Sequence, residues 1–472
     1  MGQEIISDHF SQQDWQEYAQ RLQAETVLLR KMLANGQFSQ QPAVGGFELE
    51  GWLADAQFRP LPRNAEFLQA INNPLATTEL AKFNIELNTP PRVLADSALT
   101  EFESSLRQLL AQADQAADTI AANLLLIGIL PSTVQSDFCL ATMTESHRYH
   151  ALNNEILKAR RHRPLSLDID GRESLHIQHA SVMLEAATTS FQVHMQVPAD
   201  NAHHYYNAAI IASAPIMAVA GNSPFLFGRS LWQETRIPVF EQAVDAGREF
   251  PARVSFGSGF ADHSIVECFE ENLAIYPVLL PMVQDKPAER FAHLRLHNGV
   301  TWRWNRPLVG FDPDGTPHIR LEHRILPAGP SVPDMIANAA LFYGLTQALG
   351  AELVSGEPLP MAFAIARENF YNAARIGLDT HVRWHGKEWQ VRDLLLDELL
   401  PQAASGLEQL GIAEADIRHY LSIIAARTET GQTGAVWQQR QLEHCQGDIT
   451  RLLQAYAHWQ HTHTPAHTWA LD

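Results

Sequence analysis

Two glutamates lie two residues apart in a segment of alternating polarity near the start of the chain. In residues 46–53 (GFELEGWL), Glu48 and Glu50 alternate with Phe47 and Leu49. This alternation predicts a strand with one packed and one polar face, so both carboxylates project from the same face. Like charges on one face repel each other unless a cation lies between them. Because carboxylate oxygens suit Mg²⁺ or Mn²⁺, the pair predicts a divalent metal site.

Three further segments, residues 82–88, 190–197 and 318–326, show the same alternation. Their polar faces carry acids, amides, histidine and arginine, a composition that differs from the Lys, Thr and Ser of most solvated strands. The simpler interpretation, an antiparallel sheet with one face in water, stays open for each strand taken alone. The candidate metal ligands on these faces are Glu48, Glu50, Glu86 and Glu322. His194 is a further candidate for a position near the metal or the substrate.

Arginines stand on the same predicted face as the acids. Arg320 and Arg324 alternate with Glu322 and supply positive charge for phosphate or carboxylate groups. Phosphoryl transfer from Mg-ATP needs this combination, because its catalysis depends on positioning and charge neutralisation. The sequence contains no G-x-x-x-x-G-K-[ST] motif, no protein-kinase motif set and no H-E-x-x-H motif. P-loop enzymes, protein kinases and zinc-helix proteases are therefore excluded.

Composition limits the partners of the chain. The 472 residues include 34 Lys and Arg against 53 Asp and Glu, a formal net charge of −19. This balance argues against a general nucleic-acid binder and against docking on an anionic membrane. The start, MGQEIISDHF, has no apolar core of a secretory signal, and the longest apolar run, near residues 121–130, is too short to span a bilayer. We therefore expect a cytoplasmic protein that acts on small molecules.

The three cysteines and the helical patterns complete the outline. Cys139, Cys268 and Cys445 are widely spaced and form no disulfide framework or zinc motif. Gly350, Gly377 and Gly411 are predicted at helix ends. Apolar spacing predicts helices over residues 11–33, 99–122, 202–220, 334–349, 360–375, 391–410, 413–428 and 435–461. The expected regions are an N-terminal helical extension (1–40) with a Gln-rich linker (37–42), a mixed α+β body (41–380) and a helical C-terminal region (381–472) with a frayed tail (HTHTPAH).

Seven segments, taken in order, resemble the carboxylate–amine ligase family related to glutamate–cysteine ligase. The resemblance covers about residues 43–380, and its ordered set is more specific than any single motif. The segments are GFELEGWL (46–53), NIELNTPP (84–91), TSFQVHMQV (189–197), AGNSPFLFGR (220–229), WNRP (304–307), IRLEHR (319–324) and AARIGL (373–378).

The resemblance implies a fold and a reaction. The fold is α+β, a curved and mainly antiparallel sheet like the catalytic domain of glutamine synthetase, with a concave polar face that forms an active-site funnel, helices around it and a helical C-terminal third. ATP, as co-substrate, phosphorylates the side-chain carboxylate of glutamate. The amine of a second amino acid, cysteine in glutathione biosynthesis, attacks the acyl phosphate and gives a γ-glutamyl amide, ADP and phosphate. Mg²⁺ or Mn²⁺ would bridge the ATP phosphates.

The resemblance also implies roles for single residues. Arg324 would contact the transferred phosphate, and Arg306 in WNRP would hold a phosphate or the glutamate carboxylate, so both are candidate catalytic residues. Arg320 joins Arg324 as a candidate nucleotide-binding residue. Gln196 stands where some relatives carry an acid, which leaves the number of metal ions open, and no segment identifies the amine acceptor. The candidate substrate-binding residues are Arg236, Arg148, Tyr149, Gln192 and Asn222.

Two other functional classes stay open. A guanidino kinase would share the fold and transfer phosphate to an amine, but it should carry a reactive loop cysteine, which the sequence does not identify. A regulatory relative that binds glutamate or nucleotide without turnover should have lost the metal-binding acids, and all four are present. The helical additions could form a homodimer interface or pack within the chain.

Overall fold

A computed structural model describes residues 9–247 and 249–471. An antiparallel sheet with the strand order β13-β14-β8-β1-β3-β2 curls into a half-barrel at its centre, and β4 and β5 also pair with β1. The predicted α+β class and curved sheet are confirmed. The strands are β1 (Val44–Ala54), β2 (Ala76–Thr78), β3 (Asn84–Asn88), β4 (Arg92–Val93), β5 (Asn123–Leu125), β6 (Leu165–Asp170), β7 (Ser174–His179), β8 (Phe191–Val197), β9 (Phe225–Leu226), β10 (Arg229–Ser230), β11 (Val254–Ser255), β12 (Trp302–Arg303), β13 (Asn305–Phe311), β14 (Pro317–His323), β15 (His381–Trp384) and β16 (Lys387–Gln390).

The four predicted strands all lie in this sheet, as β1, β3, β8 and β14. Their apolar residues face the core, as the alternation predicts. Their polar face, however, is also enclosed, because Glu86 and Glu322 are each 2% exposed and Gln192 is 3% exposed. A sheet with one face in water is therefore wrong for this protein. Buried polar groups need partners, so the enclosed face is a place for interactions.

Helices surround the sheet and form the C-terminal third. Helices α5 and α9 are buried along nearly their whole length, as expected for helices that are apolar on all sides. The helices are α1 (Gln12–Ala34), α2 (Asn64–Ile71), α3 (Ala98–Thr119), α4 (His147–Ala159), α5 (Ala202–Ala220), α6 (Arg236–Ala243), α7 (Val266–Ile275), α8 (Ala292–Asn298), α9 (Val332–Val354), α10 (Phe363–Ile376), α11 (Val391–Leu394), α12 (Leu400–Leu410), α13 (Glu414–Thr430), α14 (Gly434–His444) and α15 (Ile449–Thr462). None of the described helices is long and apolar enough to cross a bilayer.

Most helix predictions hold within a few residues, and the exceptions have local causes. The predicted helix over 435–461 is two helices, because Gln446 and Gly447 adopt positive φ angles of 55° and 86° between α14 and α15. Gly377 and Gly411 end helices with φ angles of 71° and 85°. Gly350 instead lies inside α9, which continues to Val354.

The expected linker and the expected frayed tail are both held by contacts among the described residues. In the expected linker, Phe38 is 3% exposed and packs against Phe291. The expected frayed tail is held by Gln432, whose side-chain amide donates to the carbonyls of Ala466 and Trp469 at 3.0 and 2.9 Å. The sequence-based expectation about a secretory signal rests mainly on residues 1–8, which lie outside the described residues.

Candidate active site

A cavity of about 200 Å³ lies on the polar face of the half-barrel. Strands β1, β3, β8, β13 and β14 form one wall, and α4, α8 and the 3₁₀ helix Val182–Ala187 contribute to the other. Acids and arginines therefore face each other across a confined space. The charged residues of the lining are Glu48, Glu50, Glu79, Glu86, Glu185, Glu322, Arg148, Arg295, Arg306, Arg320 and Arg324.

Glu48, His194 and Glu322 form the tightest group of metal-ligating side chains. One ligand atom from each lies within 4.8 Å of the other two, and Nε2 of His194 lies 3.3 Å from a carboxylate oxygen of Glu48. The pairing of β14 with β8 produces this group, because it sets His194 directly opposite Glu322. Nδ1 of His194 is buried without a hydrogen-bond partner among the described residues. Two carboxylates and an imidazole with a free nitrogen fit a divalent cation.

Four more carboxylates gather beside this group: Glu50, Glu79, Glu86 and Glu185. Glu50 is opposite Glu86 in the pairing of β1 with β3. Burial, and then the charges of the neighbouring acids, raise the pKa of Glu79 well above its ordinary value. Burial and the charge of Glu50 raise the pKa of Glu185 to about 8. The described part of the chain brings three ligand atoms within 4.8 Å only at Glu48, His194 and Glu322. In the second cluster, Glu79 and Glu185 hold their protons more strongly than free carboxyls do, and a bound cation would displace those protons.

Local hydrogen bonds orient the two acids of this cluster that lie on the sheet. The backbone amide and hydroxyl of Ser190 donate to Glu50 at 2.7 and 2.9 Å, and the amide of Gln192 donates at 3.0 Å. Glu86 accepts from the hydroxyl of Thr77 at 3.2 Å and from the amide of Asn88 at 2.7 Å. The positions of both carboxylates are therefore set before any ligand arrives.

Two arginines converge on Glu322. Arg306 donates to both carboxylate oxygens, at 2.8 and 3.1 Å, and Arg324 donates to one of them at 2.9 Å. Arg324 also donates to the side-chain oxygen of Gln192. Burial opposes ionisation of Glu322, but the charges of Arg306 and Arg324 outweigh it and hold the pKa of Glu322 well below its ordinary range. Glu322 is therefore a permanent carboxylate between two cations and the metal-ligating group.

The remaining predicted residues divide into two sets. Arg148 and Tyr149 line the cavity with Gln192, and burial raises the pKa of Tyr149 well above its ordinary value, so its phenol stays protonated. Arg236 and Asn222 do not line it. Arg236 is 3% exposed and donates to Glu234 and to the carbonyl of Ile325, at 3.1 and 3.0 Å.

Asn222 lies in an internal polar network. Its amide donates to the carbonyl of Ala328 and to the hydroxyl of Tyr456, both at 2.8 Å. The fold therefore uses Arg236 and Asn222 to join segments behind the cavity wall.

Three charged cavity residues escaped the sequence-based prediction. Glu79 follows β2 in an irregular segment, Glu185 lies in a 3₁₀ helix, and Arg295 lies in the seven-residue helix α8. None of these segments has a strand-like alternation that would mark its polar side chain. Only the packing of these segments against the sheet brings them to the cavity.

Comparisons with known proteins agree with this fold. The sequence model of the glutamate–cysteine ligase family 2 (GCS2) matches residues 45–455. A search of curated protein sequences found no match.

Among solved structures, the chain is similar to the glutamate–cysteine ligase of Francisella tularensis in complex with AMP. The two sequences are 12% identical and the TM-score is 0.55, and the match covers 92% of this chain and 91% of that one. It is also similar to a bifunctional glutathione synthetase from Pasteurella multocida, with 11% identity, a TM-score of 0.55, and coverage of 92% of this chain and 55% of that one.

Proposed function

The chain belongs to the glutamate–cysteine ligase family 2 and is an ATP-dependent ligase that forms a carbon–nitrogen bond, and on this premise we propose that it activates the side-chain carboxylate of glutamate as an acyl phosphate. The amine of an amino acid then attacks the acyl carbon, phosphate leaves, and a γ-glutamyl amide forms. The observation that carries the proposal is the position of Arg306 and Arg324 against Glu322, beside the ligand atoms of Glu48 and His194.

The side chains have separate tasks in this reaction. Glu48, His194 and Glu322 would hold Mg²⁺ or Mn²⁺, which when bound neutralises phosphate charge. Arg324 contacts the transferred phosphoryl group, because its guanidinium lies in the cavity between Gln192 and Glu322. Arg306 is held by Glu322 and by the carbonyl of Asn298, the latter at 3.2 Å, which fixes its guanidinium in the cavity wall. Fixed charges of this kind stabilise the transition state without reorganisation.

The second acidic cluster favours a cationic ligand as well. Glu50 and Glu86 face each other across paired strands, with Glu79 and Glu185 nearby. We assign this cluster to a further divalent ion or to the ammonium group of the acceptor amine, since either would remove the repulsion among the carboxylates.

The guanidino-kinase alternative receives no support from the cysteines. Cys139 is exposed, whereas Cys268 and Cys445 are buried, and the described lining of the cavity contains none of them. A regulatory relative without turnover should have lost the metal-binding acids, whereas Glu48, Glu50, Glu86 and Glu322 all line the cavity.

The decisive assay measures ADP release from Mg-ATP with glutamate and, in turn, each of the twenty amino acids and common amines. Release that requires both glutamate and one amine supports the ligase. Trapping with hydroxylamine, which converts a glutamyl phosphate into a hydroxamate, tests the activated intermediate, with reactions lacking ATP as the control. Tight glutamate binding without ADP release in any combination would contradict the ligase and favour the regulatory relative.

A further inference from the structure

Three arginines lie together where the β13–β14 hairpin meets α8. Arg320 on β14 and Arg295 on α8 line the cavity, and Arg290 lies in the 3₁₀ turn before α8. The guanidinium carbons of Arg290 and Arg295 lie 3.8 and 5.4 Å from the ring centre of Phe311. Burial, and then the charges of Arg320 and Arg290, lower the pKa of Arg295. The three cations therefore repel one another across a short distance.

Within the described residues, no carboxylate lies at ion-pair distance from these three arginines. Arg306 and Arg324 are ion-paired with Glu322, whereas Arg290, Arg295 and Arg320 form no ion pair with any described residue. The Nε atom of Arg320 is buried and has no hydrogen-bond partner among the described residues. A buried donor without an acceptor is costly, so an anion bound between these arginines would stabilise the arrangement.

One acid of the hairpin, Asp312, already has other partners. Asp312 accepts from the hydroxyl of Ser39 and from Nδ1 of His318, the latter at 2.7 Å. Its charge is therefore committed to partners other than the arginines.

The N-terminal helix anchors α8 through one buried carboxylate. Glu25, which is 2% exposed, accepts from the backbone amides of His293 and Leu294 at 2.9 and 2.8 Å. The amide of Gln284 donates to Nε2 of His293 at 3.1 Å, so Nδ1 carries the proton and donates to Glu25 at 2.6 Å. Arg295 follows Leu294 directly, and its backbone position is thus set by Glu25.

The same N-terminal segment holds the hairpin. The backbone amide of Ser39 donates to the carbonyl of Pro317 at 2.8 Å, next to the start of β14. Residues 12–39 therefore contact both elements that carry the arginines, and this segment precedes the residues that the family model matches.

We propose that Arg295 and Arg320 form a subsite for an oxyanion group of a substrate, and that Glu25 is a positioning residue that sets this subsite. The inference rests on the proposed function, because the anions concerned are the phosphates of ATP and the carboxylate groups of glutamate. Guanidinium groups bind both by paired, charge-assisted hydrogen bonds.

The test compares Arg295→Gln and Arg320→Gln with Arg418→Gln, an exposed arginine on α13 that serves as the matched control. Kd for Mg-ATP and for glutamate is measured by calorimetry, and KM by ADP release. Both cavity variants should weaken the same substrate by about tenfold or more while kcat falls less, and the control should stay within about twofold. Weaker binding of Mg-ATP would identify a phosphate subsite, and weaker binding of glutamate would identify a carboxylate subsite.

The inference is overturned if both cavity variants bind both substrates within about twofold of wild type. A wild-type protein that binds substrates without turnover would contradict the proposed ligase, yet the calorimetric comparison would still test the subsite. The two failures are therefore distinguishable.

The role of Glu25 is tested with Glu25→Ala, Glu25→Gln and the double variant Glu25→Ala with Arg295→Gln. Loss of positioning should raise KM for the substrate that Arg295 binds, and the double variant should be no weaker than Arg295→Gln alone, because the two changes act on one contact. Glu25→Gln keeps one acceptor oxygen, so its KM should lie between the KM of wild type and that of Glu25→Ala. Glu25→Gln also provides the test if Glu25→Ala does not fold. Unchanged KM in Glu25→Gln, or effects that multiply independently, would overturn the positioning role.

Discussion

The carboxylate of Glu322 accepts two parallel hydrogen bonds from Arg306, at 2.8 and 3.1 Å. The two residues are directly opposite each other on β14 and β13. The same carboxylate belongs to the ligand group of Glu48 and His194. One side chain thus joins the candidate metal position to the arginines that would hold phosphate, so a change at Glu322 should affect both at once.

Substitution of Glu322 by Gln should reduce turnover by about 100-fold or more, because the amide cannot neutralise Arg306 and Arg324 or serve as an anionic metal ligand. ADP release measures the effect, and circular dichroism checks the fold. Glu414→Gln, at an exposed position of α13, is the matched control. A near-normal rate in Glu322→Gln would show that this carboxylate has no part in the reaction.

Removal of divalent metal by EDTA should abolish turnover, and Mg²⁺ or Mn²⁺ should restore it. Substitution of His194 by Ala should raise the metal concentration for half-maximal rate by roughly tenfold or more, because the group loses its imidazole ligand. The exposed His444→Ala serves as control. Equal metal titrations for the His194 variant and wild type would remove His194 from the metal site.

Arg324→Lys should lower kcat by about tenfold or more and leave KM for the acceptor amine nearly unchanged. Lysine is a point charge and cannot contact Gln192, Glu322 and a phosphate at once, as the guanidinium can. Steady-state kinetics with the acceptor as the varied substrate separates the two parameters. A rise in KM for the acceptor with unchanged kcat would place Arg324 in acceptor binding.

Glu241 should make stability depend on pH. It accepts hydrogen bonds from Trp304 and Tyr371, at 2.8 and 2.6 Å, and burial raises its pKa from 4.5 to about 7. Between these values the unfolded carboxyl is ionised while the folded one keeps its proton, so the contribution of Glu241 to stability falls as pH rises from 4.5 to 7 and is then constant. The loss amounts to about 3 kcal/mol at most.

Glu241→Gln should reduce the fall of stability with pH by the share that Glu241 contributes, because the amide oxygen still accepts both hydrogen bonds and carries no charge. Urea unfolding at pH 5 and pH 7.5 measures the difference in free energy of unfolding, with Glu414→Gln as control. The same loss of stability in Glu241→Gln and wild type between the two pH values would show that another group is responsible.

Local periodicity alone determined several parts of this protein. The alternation around Glu48, Glu86, His194 and Glu322 placed these side chains on polar strand faces, because side chains alternate along any extended chain. Apolar spacing likewise predicted the helix Ala202–Ala220 at the bounds that the structure has. Residue type then pointed to metal and phosphate chemistry without knowledge of the pairing.

Only the tertiary structure decided which of these groups meet and which do not. His194 and Glu322 lie far apart in sequence and become neighbours through the register of β8 with β14, which long-range packing sets. Glu185 and Arg295 reach the cavity because irregular or short segments pack across the sheet. Arg236, in contrast, is held behind the wall by Glu234. The chemistry of a side chain is set by its residue type, whereas its neighbours in the folded protein depend on contacts between distant segments.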